Sequence, residues 1–376
     1  MHIVVNTRLL IKGKLDGIGW FTYHTMKRLV QTNPTCKFTF LFDRPYASEF
    51  IFGSNVTAVV LSPPARHPLL YILYFEFAVK QFLKKTKPDL FVSTDGFLVL
   101  DKTINQLPVI HDINFLHHPK DLNYAYRKYY NYFFPRFAKL ATRIATVSIY
   151  SKSDIAKNYQ INEGKIDVVY NGINDGYQPL SSNLIESIRQ KYSNGKPYFV
   201  FVGSQSPRKN LHRLIIAFSK FRDSQAGEFH LVLAGSSFWG DASLKAVWEQ
   251  SKYKATIHFT GRLNQEELTK VVGASFAMCF IPYYEGFGIP MIEAMAAGIP
   301  VIAANTSCLP EIAGEAALFV NPFDEIAIAA AMQKLAEDAK LQAALIEKGL
   351  VQAEKYSWDK TAELLWESMQ KAMASS

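Results

Sequence analysis

Short apolar segments alternate with amphipathic segments along this chain, and that alternation constrains its fold more than any other feature. Strands that alternate with helices form a parallel sheet covered by helices on both faces. The expected strands of the first half are His2–Asn6, Phe38–Phe42, Val56–Leu61, Leu90–Ser93, Pro108–Ile110, Ile144–Val147 and Lys165–Val169. The helices between them are expected at Trp20–Val30, Leu69–Lys85, Leu122–Leu140 and Tyr150–Tyr159.

The alternation is interrupted between Asn171 and Lys196 and then begins again. Glycine, asparagine and proline cluster in this interval, which favours a linker region. A chain of 376 residues is also too long for one ordinary core. We therefore expect an α/β fold with two doubly wound, Rossmann-like domains, residues 1–177 and 178–358, whose strand ends face a cleft.

Basic residues are concentrated in the first half of the chain. Residues 1–176 contain 22 Lys and Arg against 13 Asp and Glu, a difference of +9. The totals are 41 and 33, so residues 177–376 contain 19 and 20, a difference of −1. The excess favours an anionic partner, such as a phosphorylated acceptor or a membrane surface. Ordinary solubility charge is the alternative.

Composition argues against several other classes of protein. The sequence contains no run of about 18 apolar residues, so no transmembrane helix is predicted. The first residues are typical of a short strand rather than a signal peptide. The three cysteines are too few and too widely spaced for a disulfide framework or a zinc site. Despite a pI near 9.1, no nucleic-acid-binding motif is present. We expect a cytoplasmic protein.

The strongest functional signal runs from Glu285 to Glu293. It follows an apolar strand, and Pro290 suits the first turn of a helix. Each of the two carboxylates can accept hydrogen bonds from sugar hydroxyls; Glu293 as an ordinary helix residue is the alternative, although a glutamate in so apolar a run needs a partner. The turn also brings three amides to a helix N-terminus, where anions and hydroxyls bind: those of Phe287, Gly288 and Ile289.

A second signal is the turn from Gly203 to Asn210, which again joins a strand to a helix. Arg208 and Lys209 bring two positive charges to this strand end, where a diphosphate can bind. The turn has no Walker pattern, so a P-loop is excluded. A solvated basic pair without a ligand is the alternative.

These segments resemble the donor half of retaining glycosyltransferases of the GT-B fold, in the large family four that includes many bacterial mannosyl- and glucosyltransferases. The resemblance covers nearly the whole chain. Four motifs occur in the family's order and spacing: Glu285-x7-Glu293, Gly203-x4-Arg208-Lys209-Asn210, Phe259-Thr-Gly-Arg262, and Asn305 to Gly314.

The resemblance implies a role for each motif on the donor side. Arg208 and Lys209 would bind the diphosphate of a nucleotide-sugar, and Glu293 would hold the ribose hydroxyls. Glu285 would hold the transferred sugar. The other donor-binding residues would be Gly203, the amides of Phe287, Gly288 and Ile289, and Arg262 with Leu263 around the nucleobase.

The first half contributes further candidates. Gly17 and Gly19 precede the first helix and resemble the family's glycine-rich loop, although a plain turn is the alternative. His111 follows a strand; its position in the family implies a hydrogen bond to the donor sugar or a role in orienting the acceptor, and a structural histidine is the alternative. Asp95 and Asp112 are weaker acceptor-side candidates.

The mechanism that the family implies needs neither metal nor cofactor. No carboxylate is clearly placed as a nucleophile, and no Asp-x-Asp metal motif is present. A front-face transfer with retention fits better, in which fixed positive groups stabilise the leaving diphosphate. The expected catalytic residues are His111, Glu285, Arg208 and Lys209.

The substrates are less constrained than the reaction class. The motifs look most like those of bacterial mannosyltransferases, so GDP-mannose is the first expectation and a UDP-hexose such as UDP-glucose the second. The acceptor is expected to be a glycan or a lipid-linked glycan of a cell-surface polysaccharide. A nucleotide-sugar epimerase and an inactive nucleotide-sugar-binding protein remain alternatives.

Aromatic residues recur at helical spacing between 126 and 137. The pattern fits a face packed on the sheet, or alternatively a basic-aromatic surface that rests peripherally on a membrane. The aromatic residues are Tyr126, Tyr129, Tyr130, Phe133, Phe134 and Phe137.

The family resemblance also implies that the last helix, within 359–376, packs back on the first domain, with Trp358 and Trp366 as anchors.

Overall fold

The structure, a computed structural model, describes residues 1–224, 227–236 and 242–374. The chain divides into two compact units. Unit 1 comprises Met1–Gly172 and the segment that begins at Ser357, and unit 2 comprises Ile173–Tyr356. The first boundary lies at residue 172, whereas the sequence placed it at 177. Residues 375 and 376 of the expected last helix lie outside the described residues.

Unit 1 is built on a parallel sheet whose spatial order is β3-β2-β1-β4-β5. A parallel pair, β6 and β7, continues beside it through a bridge between Val109 and Ala145. The strands are β1 (His2–Asn6), β2 (Lys37–Phe42), β3 (Val56–Val60), β4 (Leu90–Ser93), β5 (Gln106–Pro108), β6 (Ile144–Thr146) and β7 (Ile166–Val168).

The helices of unit 1 follow the predicted pattern with two differences. The segment expected as one helix at Leu69–Lys85 contains a π-helical stretch, Leu73–Val79, between two short α-helices. A further short helix, α4, was not predicted, because four residues carry no measurable periodicity. The helices are α1 (Gly17–Thr32), α2 (Pro68–Ile72), α3 (Lys80–Thr86), α4 (Asn114–His117), α5 (Tyr124–Leu140) and α6 (Ile149–Tyr159).

Unit 2 contains a parallel sheet of order β10-β9-β8-β11-β12-β13. Each residue of its central strand β8 is buried, and Val200 at its middle lies opposite Val232 and Met278 of the flanking strands. Since both faces are covered, the strands read as continuous apolar runs. They are β8 (Tyr198–Val202), β9 (His230–Ala234), β10 (Ile257–Gly261), β11 (Ala277–Phe280), β12 (Val301–Ala304) and β13 (Ala317–Val320).

The helices of unit 2 connect these strands and complete a doubly wound α/β unit. One of them, α12, was not predicted and lies inside the motif from Asn305 to Gly314. The helices are α7 (Ser182–Ser193), α8 (Leu211–Ser224), α9 (Ala242–Gln250), α10 (Gln265–Gly273), α11 (Ile289–Ala296), α12 (Leu309–Ala313), α13 (Glu325–Glu337) and α14 (Ala339–Ala353). Both sheets therefore have the order expected of Rossmann-like domains, and the fold prediction is confirmed.

The last helix, α15 (Trp358–Ala374), belongs to unit 1 and packs on α1. The Trp358 ring is 2% exposed and stacks on the His24 imidazole, with 4.7 Å between ring centroids and 9° between ring planes. Trp366 is half-buried. Gly172 is required at the end of the first segment, because a Cβ there would lie 2.3 Å from the Trp358 nitrogen.

The aromatic residues at 126–137 form the inner face of α5. Tyr129, Phe133, Phe134 and Phe137 are buried in the core of unit 1, and two further tyrosines pack against it. The core interpretation of this face is therefore the one that the structure supports. Within the described part of the chain, no helix combines the length and the apolar content needed to cross a membrane.

Candidate active site

Two connecting loops meet at the carboxyl edge of the unit 2 sheet. One follows β8 and the other follows β11, and these strands are neighbours although β9 and β10 separate them in sequence. The strand order reverses at this pair, which is where ligands bind in open α/β sheets. A backbone hydrogen bond of 3.1 Å from the Tyr283 amide to the Arg208 carbonyl ties the two loops together.

Glycine is required where the loop after β8 passes the loop after β9. Gly235 has a φ of +148°, and a Cβ on it would lie 1.8 Å from the Gly203 carbonyl oxygen. The predicted site residue Gly203 therefore lies in direct backbone contact with the neighbouring loop. After this close contact the loop continues into a 3-10 turn, Pro207–Lys209, which carries Arg208 and Lys209.

Arg208, Lys209 and Glu285 form one cluster. The Arg208 Nη1 donates to Glu285 Oε1 at 2.6 Å, and the Lys209 ammonium donates to the same oxygen. Lys209 and Glu285 are each 7% exposed. Sequence reasoning had assigned the two cations to a diphosphate and the carboxylate to a sugar, and it did not anticipate that the three groups pair with one another.

The electrostatics of this cluster follow from its charges. Burial raises the pKa of Glu285, but the nearby Arg208 and Lys209 outweigh that effect and hold its pKa below the ordinary value. The carboxylate is therefore ionised at neutral pH and compensates one of two positive charges. The Lys209 ammonium also lies 5.1 Å from the centre of the Phe280 ring. The cluster retains one net positive charge at the sheet edge.

The second carboxylate of the motif, Glu293, lies on α11 and is 4% exposed. The Asn174 side-chain amide donates to its Oε1 at 2.7 Å, and the Tyr177 hydroxyl faces the same carboxyl group. Burial raises the pKa of Glu293 to about 7. Glu293 therefore has the hydrogen-bond partner that a glutamate in apolar surroundings needs. The sequence did not identify Asn174 and Tyr177 as its partners. The polar turn at 171–176 was the one sequence feature that pointed to this region.

The turn between the two carboxylates has the geometry of a helix N-terminus. Gly288 is the N-cap of α11, with a φ of +97°, and none of the described side chains caps the helix by a hydrogen bond. The Phe287 ring is buried against the Tyr356 ring, with centroids 5.5 Å apart, which fixes the backbone that leads to Ile289. This arrangement directs amides at an anion or a hydroxyl group.

Arg262 and Leu263 follow β10, two strands away from β8 in the same sheet. Arg262 is exposed and Leu263 is half-buried, and the strand register shifts just before them, between Phe259 and Gly261. They lie at the same carboxyl edge as the cluster around Glu285.

In unit 1, His111 follows β5, is half-buried and contacts Phe21 of α1. Its Nε2 lies 2.9 Å from the Thr94 carbonyl oxygen, so Nε2 carries the hydrogen and Nδ1 is the acceptor nitrogen. The Phe21 ring packs on it edge to face at 5.0 Å. Burial lowers the pKa of His111, which keeps the imidazole neutral near pH 7.

Asp95 is fully engaged inside unit 1. Its carboxylate accepts hydrogen bonds from Arg8 Nε at 2.6 Å, from Asn6 Nδ2 at 2.8 Å and from Ser93 Oγ at 3.0 Å. Arg8 and Asp95 are 7% and 8% exposed. These bonds favour a structural role for Asp95, because the carboxylate compensates a buried guanidinium. Its acceptor-side role stays a prediction.

The remaining predicted residues of unit 1 lie at loop ends. The half-buried Asp112 accepts from the backbone amide of Asn114 at 3.0 Å and from its side chain at 2.6 Å. Gly17 is the first residue of α1, and a Cβ on it would meet nothing within 4 Å. The Gly19 amide donates to Asp16 Oδ1 at 3.0 Å, so the Asp16 side chain caps the N-terminus of α1.

No group of three or more His, Cys, Asp or Glu side chains in the described ranges is arranged to hold a metal ion.

Comparison with known proteins agrees with these observations. Residues 15–177 match the family model "Glycosyltransferase Family 4", and residues 185–351 match "Glycosyl transferases group 1". The chain is 29% identical over 220 residues to O-antigen chain mannosyltransferase B of Escherichia coli, a match that spans 58% of each protein. It is 27% identical over 272 residues to O-antigen chain mannosyltransferase RfbU of Salmonella typhimurium, a match that spans 72% of each.

Solved structures with the same fold are similar over the whole chain. Sucrose-phosphate synthase from Thermosynechococcus elongatus superimposes with a TM-score of 0.80 at 17% identity and full coverage of both chains. HepE from Anabaena, in complex with UDP and glucose, gives a TM-score of 0.76 at 16% identity, over 98% of this chain and 99% of that one.

Two Rossmann-like units with these paired motifs define a glycosyltransferase of the GT-B fold. The two matched segments leave only short stretches of the chain uncovered. The chain belongs to the group 1 glycosyltransferases and resembles their mannosyltransferases.

Proposed function

We propose that this enzyme transfers a hexose from a nucleotide-sugar to a glycan or lipid-linked acceptor, with retention of the anomeric configuration. The observation that carries the proposal is the cluster of the half-buried Arg208 with the buried Lys209 and Glu285, close in sequence to the N-terminus of α11. Both cations bind the same carboxylate oxygen there, and a pair of cations at a sheet edge suits a site for a diphosphate. We assign the nucleotide ribose to Glu293.

The cluster gives the donor a way to organise its own site. A diphosphate draws Arg208 and Lys209 into charge-assisted hydrogen bonds with its oxygens. The Glu285 carboxylate is then able to accept hydrogen bonds from hydroxyls of the transferred sugar. The Phe287, Gly288 and Ile289 amides, at the helix N-terminus, are hydrogen-bond donors for oxygens of the bound donor substrate.

The proposed reaction is a front-face substitution. The bond between the anomeric carbon and the diphosphate oxygen breaks, and a bond between that carbon and the acceptor oxygen forms on the same face. The acceptor hydroxyl gives its proton to the departing diphosphate oxygen. Arg208, Lys209 and the α11 N-terminus stabilise the negative charge that grows on the diphosphate, with no metal or cofactor in the proposal.

Supporting roles follow from the family resemblance. Arg262 and Leu263 are assigned to the nucleobase, and Gly17 and Gly19 to a phosphate. His111 is assigned to a sugar hydroxyl, for which its neutral imidazole is a suitable partner. Asp112 is retained as an acceptor-side residue: it is half-buried, and its two described partners come from one neighbouring residue.

GDP-mannose is the proposed donor, with a UDP-hexose as the alternative. The names of the relatives, which are mannosyltransferases of O-antigen chains, support mannose and a cell-surface polysaccharide as product. The UDP and glucose complex of a protein with the same fold supports the alternative. Thermal-shift measurements with GDP and UDP decide the base, since a bound nucleotide raises the unfolding temperature with its concentration over Kd.

The reaction itself is tested by product analysis. The purified enzyme is incubated with GDP-mannose and an oligosaccharide acceptor, and the anomeric configuration of the product is read by NMR. An α-mannoside from the α-configured donor supports retention, and a β-mannoside contradicts it. Conversion of the nucleotide-sugar to an epimer without acceptor would favour the epimerase alternative.

A peripheral membrane contact is part of the proposal. Leu69, Leu73 and Phe77 recur at every fourth residue of one helical segment in unit 1 and are 61%, 39% and 56% exposed. The outer face of α5 adds further exposed aromatic and basic side chains, and exposed apolar and cationic side chains together suit an anionic bilayer surface. These side chains are Tyr124, Lys128, Tyr132, Arg136 and Lys139.

Sedimentation with liposomes tests this contact. We expect the enzyme to bind vesicles that contain phosphatidylglycerol, and the variant Leu73→Ser/Phe77→Ser to bind them less. Indifference of the wild-type enzyme to anionic vesicles would end the membrane proposal and leave the transfer reaction untouched.

A further inference from the structure

The buried carboxyl group of Glu293 is held by a neutral side chain rather than by a cation. Asn174 is 8% exposed, and its Nδ2 donates to Glu293 Oε1 at 2.7 Å across 119 residues of sequence. No lysine or arginine of the described residues lies within ion-pair distance of this carboxyl group. Glu285, the other carboxylate of the motif, is by contrast bound by two cations.

Further polar groups surround the same carboxyl group. The Tyr177 hydroxyl is buried beside both Glu293 and the Gln265 side-chain amide and interacts with each. Among the described residues, neither this hydroxyl nor the Gln265 Nε2 has a hydrogen-bond partner that meets the usual distance and angle limits. Buried polar groups that lack partners are costly, and they are common where a ligand supplies the missing bonds. Asn174 and Tyr177 lie in the first residues of unit 2, and Gln265 begins α10.

We propose that Asn174 is a positioning residue that holds the Glu293 carboxylate toward the ribose hydroxyls of the nucleotide, an inference that rests on the donor-binding function proposed above. The side-chain amide of Asn174 fixes Oε1 and thereby the orientation of the whole carboxylate. Tyr177 and Gln265 complete the polar wall around the carboxyl group. Asn174 itself touches no reacting atom and acts through Glu293.

The hydrogen bond from Asn174 also favours the ionised form of Glu293. A ribose diol donates hydrogen bonds, so it binds the carboxylate better than the protonated acid. Burial raises the pKa of Glu293 to about 7, while Asn174 and Tyr177 oppose that rise; no charged side chain takes part. Loss of the Asn174 donor therefore raises this pKa further and weakens nucleotide binding near neutral pH.

The test compares Asn174→Asp with wild type, because aspartate keeps the shape of asparagine and replaces the donor with an acceptor. Titration calorimetry measures the affinities for GDP and UDP, and for the 2′,3′-dideoxy form of whichever binds, between about pH 6 and pH 9. We expect the variant to bind the ribonucleotide about tenfold or more weakly at pH 7, since each unit of pKa rise costs a factor of ten. Binding of the dideoxynucleotide should not change.

The pH profile separates positioning from general damage. The pH at which ribonucleotide affinity rises should move upward in Asn174→Asp, and Asn174→Ser, which retains a hydroxyl donor, should restore part of the affinity. The control Asp175→Asn changes an exposed neighbour and should bind as wild type does. Equal loss of both nucleotides, an unmoved pH profile, or unchanged ribonucleotide affinity would each overturn the inference.

The result is distinguishable from failure of the proposed function. If wild type prefers the ribonucleotide and Asn174→Asp removes that preference, the inference stands even where no sugar is transferred. If wild type transfers sugar and Asn174→Asp retains the full ribonucleotide preference, the inference fails while the function stands. Far-UV circular dichroism and the unfolding temperature confirm that each variant is folded.

Discussion

The Lys209 ammonium donates to the Glu285 carboxylate although 76 residues separate them in sequence. The contact joins the loop after β8 to the loop after β11, at the point where the strand order of the unit 2 sheet reverses. The lysine and the glutamate are buried together there, and the ammonium group can exchange the carboxylate for another anionic partner. An anionic ligand can replace the carboxylate as the partner of the cation, and this exchange underlies the first two predictions.

Replacing Lys209 by alanine should slow sugar transfer strongly. The ammonium is proposed to stabilise the leaving diphosphate, and loss of one preorganised donor raises a barrier by about 3 kcal/mol, or on the order of a hundredfold in kcat. Steady-state kinetics with donor and acceptor measure the effect. Lys220→Ala removes an exposed lysine from α8 and serves as the control. A Lys209→Ala enzyme with the normal kcat would refute the assignment of the diphosphate.

Replacing Glu285 by glutamine should destabilise the nucleotide-free enzyme by roughly 3 kcal/mol, because removal of one partner leaves buried positive charge uncompensated. The folded-state pKa of Glu285 lies below its ordinary value of 4.5. Its contribution to stability is therefore present above pH 4.5 and is lost as the pH falls through the folded pKa. Urea unfolding at neutral and acidic pH measures the difference in free energy of unfolding between wild type and Glu285→Gln. This difference should become smaller in acid, and a difference that does not change with pH would contradict the ion pair.

The sequence predicted the strands and the motif residues but not the pairings among side chains. Parallel strands and the loops after them follow from apolar runs and glycine turns, so Glu285, Arg208 and Lys209 could be placed at one sheet edge. Their mutual hydrogen bonds depend on rotamers and on strand order, which local periodicity does not encode. The bond between Asn174 and Glu293 joins positions 119 residues apart.

Asp95 is another residue whose hydrogen-bond partners the sequence did not predict. A carboxylate after a strand is typical of a ligand-binding edge, and on that ground the sequence makes Asp95 a weaker acceptor-side candidate. Arg8 follows the neighbouring strand β1, and its guanidinium uses the carboxylate. Adjacent strands bring these residues together, and the need to compensate a buried charge favours a structural role for Asp95.

Glu293→Gln should stabilise the nucleotide-free enzyme at alkaline pH and weaken its response to nucleotide. The folded-state pKa, about 7, lies above the ordinary value of 4.5. The favourable contribution of the protonated form is therefore full below pH 4.5 and is lost as the pH rises toward 7. Above pH 7 the ionised, buried carboxyl group costs up to about 3 kcal/mol, a cost that glutamine does not carry.

Differential scanning calorimetry checks this expectation. The Tm of Glu293→Gln should exceed that of wild type above pH 7 and match it near pH 4.5, and saturating nucleotide should raise it less. Glu347→Gln, an exposed change on α14, is the matched control. A variant that is less stable than wild type at alkaline pH would show that the carboxylate is not strained by its burial.

Asp95→Asn separates a structural carboxylate from an acceptor-binding one. The substitution leaves the Arg8 guanidinium, 7% exposed, without its charge partner, so the free energy of unfolding should fall by about 3 kcal/mol. Since Asp95 is expected to touch no acceptor, the KM for acceptor in the folded enzyme should stay at the wild-type value. Asp112→Asn, the half-buried candidate, provides the comparison.

A double-mutant cycle with Arg8→Met completes the argument for Asp95. If the aspartate serves the arginine, removing both should cost clearly less than the sum of the two single changes, because no charge is then left buried and unpaired. Urea unfolding measures the stabilities, and initial rates at varied acceptor concentration measure KM. If the losses in free energy of unfolding are additive and Asp95→Asn raises the KM for acceptor, Asp95 belongs to the acceptor site, since a structural ion pair predicts neither result.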